Sequence, residues 1–260
     1  MMYGAIIGDI AGSRFEFNNH RSKDFETFTD ECFFTDDTIT TIAVALALDV
    51  SKSGGYRGLD DAAKSAIRSI GRRYPGAGWG GMFYDWIFNN PEPYNSFGNG
   101  AAMRVSPVAW VAKSTKHLKL LSYKVTKISH NHPEGIKGAE ATAMMIYQAI
   151  HGATMQELEQ TARSYYNIDF TLDEIRDTYQ FDETCQNSVP QAFRAFIEST
   201  GFEDCIHNAI SIGGDSDTIA AIAGSIAEAY YGVPGELQDK ALTYLTPELQ
   251  DMFIRLEYNI

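Results

Sequence analysis

Cysteine is scarce in this sequence. The three present, Cys32, Cys185 and Cys205, are too few and too scattered for a disulfide scaffold or a paired-cysteine zinc site, so reduced thiols are expected. Positive charge is short as well, with 21 Lys and Arg against 34 Asp and Glu and a net charge of −13. Nucleic acids and anionic membranes need a basic face, and this balance argues against both as partners. No apolar run can span a bilayer: the stretch from Met2 to Gly12 is too short and contains Asp9. It carries no basic leader either, so a soluble, cytoplasmic protein is expected. Alternating strand patterns are also missing. What is present, 260 residues of which 44% are hydrophobic, can bury a large core.

The most informative stretch is Ser211-Ile212-Gly213-Gly214-Asp215-Ser216-Asp217-Thr218. Ile219, Ile222, Ala223, Ile226, Ala229 and Tyr230 follow it at helical spacing, which predicts a buried helix with two acids at its entrance. Gly213 and Gly214 let the chain turn tightly before that helix. An N-cap explains one acid, since a carboxylate accepts hydrogen bonds from free amides there. Two acids beside Thr218 and a dry apolar run call for a cation to share the cost of holding the charge. The device recurs at Phe33-Phe34-Thr35-Asp36-Asp37-Thr38, ahead of Ile39, Ile42, Ala43 and Leu46. Adjacent carboxylates repel unless something positive lies between them, and hard oxygen ligands suit magnesium, manganese or calcium better than zinc. Two such half-sites provide for two ions.

Elsewhere the chain reads as helices and turns. Gly4, Gly8 and Gly12 recur every four positions and give the first helix a bare stripe for close packing inside a soluble core. From Phe17 to Glu31 periodicity is lost, and a surface loop is expected, serving as a lid or rim or simply mobile. A helix is expected over Leu59 to Tyr74, then glycine-rich turns at 75–81 and 96–100. The second turn precedes Ala101-Ala102-Met103-Arg104, a helix start whose free amides could receive phosphate oxygens, although the Gly-Lys-Ser/Thr ending of a phosphate loop is missing. His130 and His132 precede Pro133 and a helix near Ile136, which suits a hydrogen-bonding histidine better than a zinc pair. Thr154 with Glu157, and Thr171 with Glu174, match the capping box; Ser188-Val189-Pro190 and Thr246-Pro247-Glu248 are further expected helix starts. The expected architecture is all-α: a single compact multi-helix bundle, one domain over residues 1–260, and a monomer.

In order along the chain, Gly8-Asp9-Ile10-Ala11-Gly12-Ser13-Arg14-Phe15-Glu16, Thr35-Asp36-Asp37-Thr38, Gly98-Asn99-Gly100-Ala101-Ala102-Met103-Arg104 and Gly213-Gly214-Asp215-Ser216-Asp217-Thr218 resemble the ADP-ribosylglycohydrolases. The resemblance runs nearly end to end. It implies an all-α fold, two divalent cations (Mg2+ or Mn2+), and hydrolysis at the anomeric carbon of ADP-ribose. The acceptor it implies is a protein side chain such as arginine, or a small ADP-ribosyl conjugate. Carried over by position, Thr35, Asp36, Asp37, Asp215, Asp217 and Thr218 match the family's metal ligands, and Glu16 its acid beside the metals. Ser96, Phe97, Gly98, Asn99, Gly100 and Met103 fall on the loop that lines diphosphate and adenosine, Phe97 at the place of an aromatic that stacks on adenine. His130 falls where a histidine contacts the ligand.

Paired metals can grip the vicinal hydroxyls of the distal ribose and activate water, and an oxocarbenium-like centre calls for a nearby carboxylate. Glu16 is the first candidate for that carboxylate, with Asp36 or Asp37 second. The rival reading is a non-catalytic sensor that binds ADP-ribose or a related nucleotide in the same pocket.

Overall fold

The computed structural model describes residues 1–259, and among them the backbone forms fifteen α-helices and no strand beyond a single bridge between Gly98 and Thr184. The first two are α1 (Tyr3–Ser13) and α2 (Asp36–Ser51). There follow α3 (Leu59–Gly71), α4 (Gly81–Phe88), the one-turn α5 (Gly100–Met103), α6 (Ser106–Val111) and α7 (Thr115–Thr126). The second half holds α8 (Pro133–Ile150), α9 (Met155–Tyr165), α10 (Leu172–Ile175) and α11 (Cys185–Ile197). The chain ends with α12 (Phe202–Ile210), α13 (Ser216–Tyr231), α14 (Gly235–Leu242) and α15 (Pro247–Asn259). None of the described helices is long and apolar enough to cross a membrane.

The glycine stripe fixes the central helix pair. A methyl group added to Gly4 would lie 2.1 Å from the Gly224 carbonyl oxygen, and one on Gly8 2.2 Å from that of Ala220. At Gly12 the nearest atom would be the Asp217 Cα, 2.4 Å away. α1 and α13 therefore pack backbone to backbone, as the spacing predicts, while Ile6, Ile7, Ile10, Ile219 and Ile222 fill the core on either side. Each such buried isoleucine stabilises the fold by about 1.5–3 kcal/mol. The close approach also sets the N-terminus of α13, with Asp217, against the C-terminal half of α1, with Asp9.

Asp9 holds a second helix in place. Its carboxylate accepts the backbone N–H groups of Thr35 (2.9 Å) and Thr38 (3.0 Å) and the Thr35 hydroxyl (2.7 Å). These include free amides of the first turn of α2, so Asp9 caps that helix from across the core. α1, α2 and α13 thus meet at one end, with α5 close by.

Loop 17–31 is fastened to the body. Asn19 donates to the Gly214 carbonyl (2.9 Å) and accepts the Gly214 N–H (2.9 Å). Arg21 donates to the carbonyls of Ile212 (2.9 Å) and Tyr179 (2.6 Å), and Phe28 is buried against Tyr244. Gly213 (φ 69°) and Gly214 (φ 77°) take the left-handed backbone at this turn, and a side chain on Gly214 would meet the Tyr179 ring at 2.2 Å.

Both predicted capping boxes form, and α8 starts at Pro133, capped by His132, whose Nδ1 accepts the Glu134 N–H (3.1 Å). The expected start at Ser188 is displaced: α11 begins at Cys185 and carries Pro190 in its interior. Proline there removes one helical hydrogen bond, which burial of Cys185, Val189, Phe193 and Phe196 offsets. α3 also stops at Gly71, short of the expected Tyr74, and Glu16 sits in the turn beyond α1.

Candidate active site

The helix ends open onto a cavity of about 430 Å³. Glu16, Asp36, Asp37, Asp215, Asp217 and Thr218 line it, and so do Ser96, Phe97, Gly98, Asn99, Gly100, Met103 and His130. Of the residues singled out from sequence, Thr35 alone lies behind the wall, where its hydroxyl is 3.5 Å from both Asp37 Oδ2 and Asp217 Oδ2.

The acids form two overlapping groups. Asp9, Asp37 and Asp217 make one, and Glu16, Asp215 and Asp217 the other, each with three carboxylate oxygens within 4.8 Å of one another. Asp217 belongs to both. Asp36 stands outside them, half-buried, near Gly78, where an added methyl group would lie 3.5 Å from its Oδ1.

The hydrogen-bond partners of these acids are hydroxyls, amides and N–H groups, with no cationic side chain among the described residues. Asn99 donates to Asp215 (2.6 Å), the Thr218 N–H to Asp217 (2.9 Å) and the Thr218 hydroxyl to Asp37 (3.3 Å). Asp37 Oδ1 is buried with no hydrogen-bond partner among the described residues. Burial lifts the pKa of Asp9, Asp37, Asp215 and Asp217 above the ordinary carboxylate range. Burial, with the charges of Asp9 and Asp215, does the same to Asp36. Glu16 is pushed up to about 8 by burial, then by Asp215, Asp9 and Glu183. An all-oxygen set with an orphaned carboxylate oxygen and crowded negative charge fits hard divalent cations.

A family model described as ADP-ribosylglycohydrolase matches residues 1–256. The chain belongs to that family. Human ADP-ribosylhydrolase ARH3 is 25% identical to it over 88% of this chain and 84% of the human protein. The ADP-ribosyl-[dinitrogen reductase] glycohydrolase of Rhodospirillum rubrum is 27% identical over 55% of this chain and 49% of its own. The ADP-ribosylarginine hydrolase Tri1 of Pseudomonas putida is 27% identical over 62% and 43%. The chain spans about half the length of several of these relatives, 51% for bovine ARH3. Among solved structures, an ADP-ribosylglycohydrolase-related protein complex superposes with a TM-score of 0.70 at 20% identity, covering 97% of this chain and 94% of that one. The shared fold is the all-α bundle described above.

Three features of this ADP-ribosylglycohydrolase-family site were not assigned from sequence. Asp9 stands in the first family-like motif and inside an apolar stretch with no role assigned to it, yet it anchors Thr35 and joins a carboxylate group. Its signal was an acid one residue after a glycine of the packing stripe. Glu183 lines the cavity from an exposed loop and accepts Asn99 N–H through its backbone carbonyl (2.7 Å); no local pattern marked it. Asn99 itself directs its amide N–H groups to Asp215 and Ser188, so it orients an acid.

Proposed function

We propose that the protein is a divalent-cation-dependent hydrolase that cleaves the bond between the anomeric carbon of ADP-ribose and its acceptor. The observation that carries this reading is the pair of carboxylate groups sharing Asp217, lining one cavity together with the Ser96–Gly100 loop and His130. Asp37, Asp215 and Asp217, with Asp36, Thr35 and Thr218, would hold two cations, Mg2+ or Mn2+. Bound there, the cations supply a Lewis-acid grip on vicinal ribose hydroxyls.

The remaining steps belong to the chain's own side chains. Asn99 and the Thr218 N–H fix the orientation of Asp215 and Asp217. Glu16 is half-buried with its carboxylate facing the cavity, and it takes a proton from the attacking water or stabilises the developing sugar cation. Phe97, 43% exposed and edge-on to His132 at 5.2 Å, offers a free ring face for the adenine. Phe97→Ala is expected to weaken ADP-ribose binding about tenfold, since stacking on a base contributes roughly 1–3 kcal/mol, with little change in melting temperature. A collapsed melting temperature with unchanged affinity would return Phe97 to the core.

The mouth favours a cationic acceptor such as an ADP-ribosylated arginine. Glu183 and Glu16 both place a carboxyl group in the cavity wall, and the exposed Phe17 and Phe181 rings, close to them in sequence, lie 5.8 Å apart. A planar guanidinium can pair with the carboxylate and stack on the rings. Glu183→Gln is expected to raise KM for an ADP-ribosylarginine substrate up to about fivefold, the range of an exposed ion pair, while sparing serine-linked and acetyl-linked substrates. Equal effects on all three linkages would remove the acceptor assignment. Metal-dependent release of ADP-ribose from these substrates is the test of the reading as a whole, and wild-type protein that binds ADP-ribosyl substrates and leaves them intact would make it a sensor.

A further inference from the structure

His130 is buried, and its two ring nitrogens face different surroundings. Nδ1 lies 2.8 Å from Ser129 Oγ and 3.4 Å from Nη2 of Arg104. Nε2 has no partner among the described residues and points at the glycine loop: a methyl on Gly100 would sit 3.2 Å from it, and one on Gly98 3.5 Å. Those two glycines line the cavity, and leaving out their side chains is what opens Nε2 to a ligand.

The partners at Nδ1 decide where the proton sits. A guanidinium only donates, so Arg104 Nη2 can approach Nδ1 only if Nδ1 offers a lone pair. The same nitrogen atom donates to Ser129 Oγ at 2.8 Å, which leaves the serine O–H free to point at Nδ1. Both neighbours therefore present hydrogens to Nδ1. Burial first, and the Arg104 charge second, hold the imidazole pKa well below its usual value, so the ring is neutral and carries its single proton on Nε2.

Arg104 is an unusual residue to find here. It is fully buried, and its Nε and Nη1 atoms have no hydrogen-bond partner among the described residues. The Phe83 ring face, 5.2 Å from the guanidinium carbon, takes up part of the charge. A core position so poorly satisfied is explained by the serine and imidazole it polarises.

We propose that Arg104 and Ser129 are positioning residues that lock His130 as the Nε2–H tautomer, making Nε2 a fixed donor to an oxygen of the bound nucleotide. The nucleotide half of this rests on the pocket's reading as an ADP-ribose site. The tautomer half does not.

Long-range proton–nitrogen correlation on histidine-labelled protein without ligand reads the tautomer directly, with the His130 signals assigned from their loss in His130→Gln. The expected wild-type spectrum has a bare Nδ1 and a protonated Nε2. In Ser129→Ala the Nδ1–H form is expected to appear, and more of it in the Ser129→Ala/Arg104→Met double variant. ADP-ribose affinity falls by the fraction of the ring lost to the wrong tautomer, since only the competent form binds. Ser129→Thr, which keeps the hydroxyl, restores the wild-type spectrum. His130→Ala is expected to weaken ADP-ribose about tenfold, the range of a lost hydrogen bond to a charged group. His130→Gln, whose amide N–H can stand in for Nε2–H, loses only a few-fold. A wild-type ring protonated on Nδ1 overturns the proposal, and so does an unchanged spectrum in both the Ser129→Ala and double variants. A wild type with the Nε2–H signature that fails to bind ADP-ribose overturns the reading of the pocket and leaves the tautomer supported.

Discussion

Asp217→Asn is expected to abolish the binding of divalent cations at both half-sites and to lower ADP-ribosyl hydrolysis by about a thousandfold or more, several kcal/mol of lost stabilisation. Asp217 is the one carboxylate common to the two acid groups. Asparagine keeps its shape and its bond from the Thr218 N–H, so the fold should stand. The sign of the stability change tests the argument. In metal-free protein the substitution removes one of several mutually repelling buried charges, and the variant should melt at or above the wild type. With Mg2+ or Mn2+ present the order should reverse, because only the wild type gains binding energy from the cation. Calorimetry and thermal melts with and without cation would show both effects. An Asp217→Asn variant that binds two cations with wild-type affinity would remove the shared-ligand argument.

The same crowding predicts a pH dependence. The folded-state pKa values of Asp9, Asp37, Asp215 and Asp217 are raised, so folded metal-free protein binds more protons than the unfolded chain does. Their contribution is full below the unfolded carboxylate value of about 4 and is lost as pH rises through the folded values, which for Glu16 reaches about 8. Metal-free protein should therefore lose stability across that window, and cations should restore it at the alkaline end.

What could be read from the sequence was what local chemistry writes there. The two acidic turns announce themselves because each precedes an apolar helix, and the glycine stripe because its period matches a helix face. Their meeting is a consequence of the stripe: Gly12 admits the Asp217 backbone, and that contact sets the acids of α13 beside those of α1 and α2. Asp9 lay in plain view, but its work depends on Thr35 and Thr38, more than twenty-five residues away, and no periodicity encodes such a pairing. Pro190 misled for the opposite reason. Proline favours a helix start locally, and only the packing of Val189 and Phe193 explains why this helix runs through it. The fastening of loop 17–31 was illegible too, since Asn19 and Arg21 find their partners on the turn before α13 and beside α10.

Glu16 separates hydrolysis from mere binding. It lies in the turn after α1, where the Asn19 side chain ties down its backbone carbonyl (2.9 Å) while the carboxylate has no hydrogen-bond partner among the described residues. Burial first, and the charges of Asp215, Asp9 and Glu183 after it, raise its pKa to about 8, and a bound cation would draw that value down and free the carboxylate to accept a proton. Glu16→Gln keeps the size and the half-buried packing but can neither take a proton nor carry charge opposite a sugar cation. Turnover is expected to fall by about a hundredfold or more, the usual loss of a general acid or base, while cation and ADP-ribose affinities stay within a few-fold. Loss of cation binding along with turnover would make Glu16 a ligand, as its closeness to Asp215 and Asp217 allows. Unchanged turnover would take Glu16 out of the chemistry and pass the role to Asp36, a cavity acid that belongs to neither group.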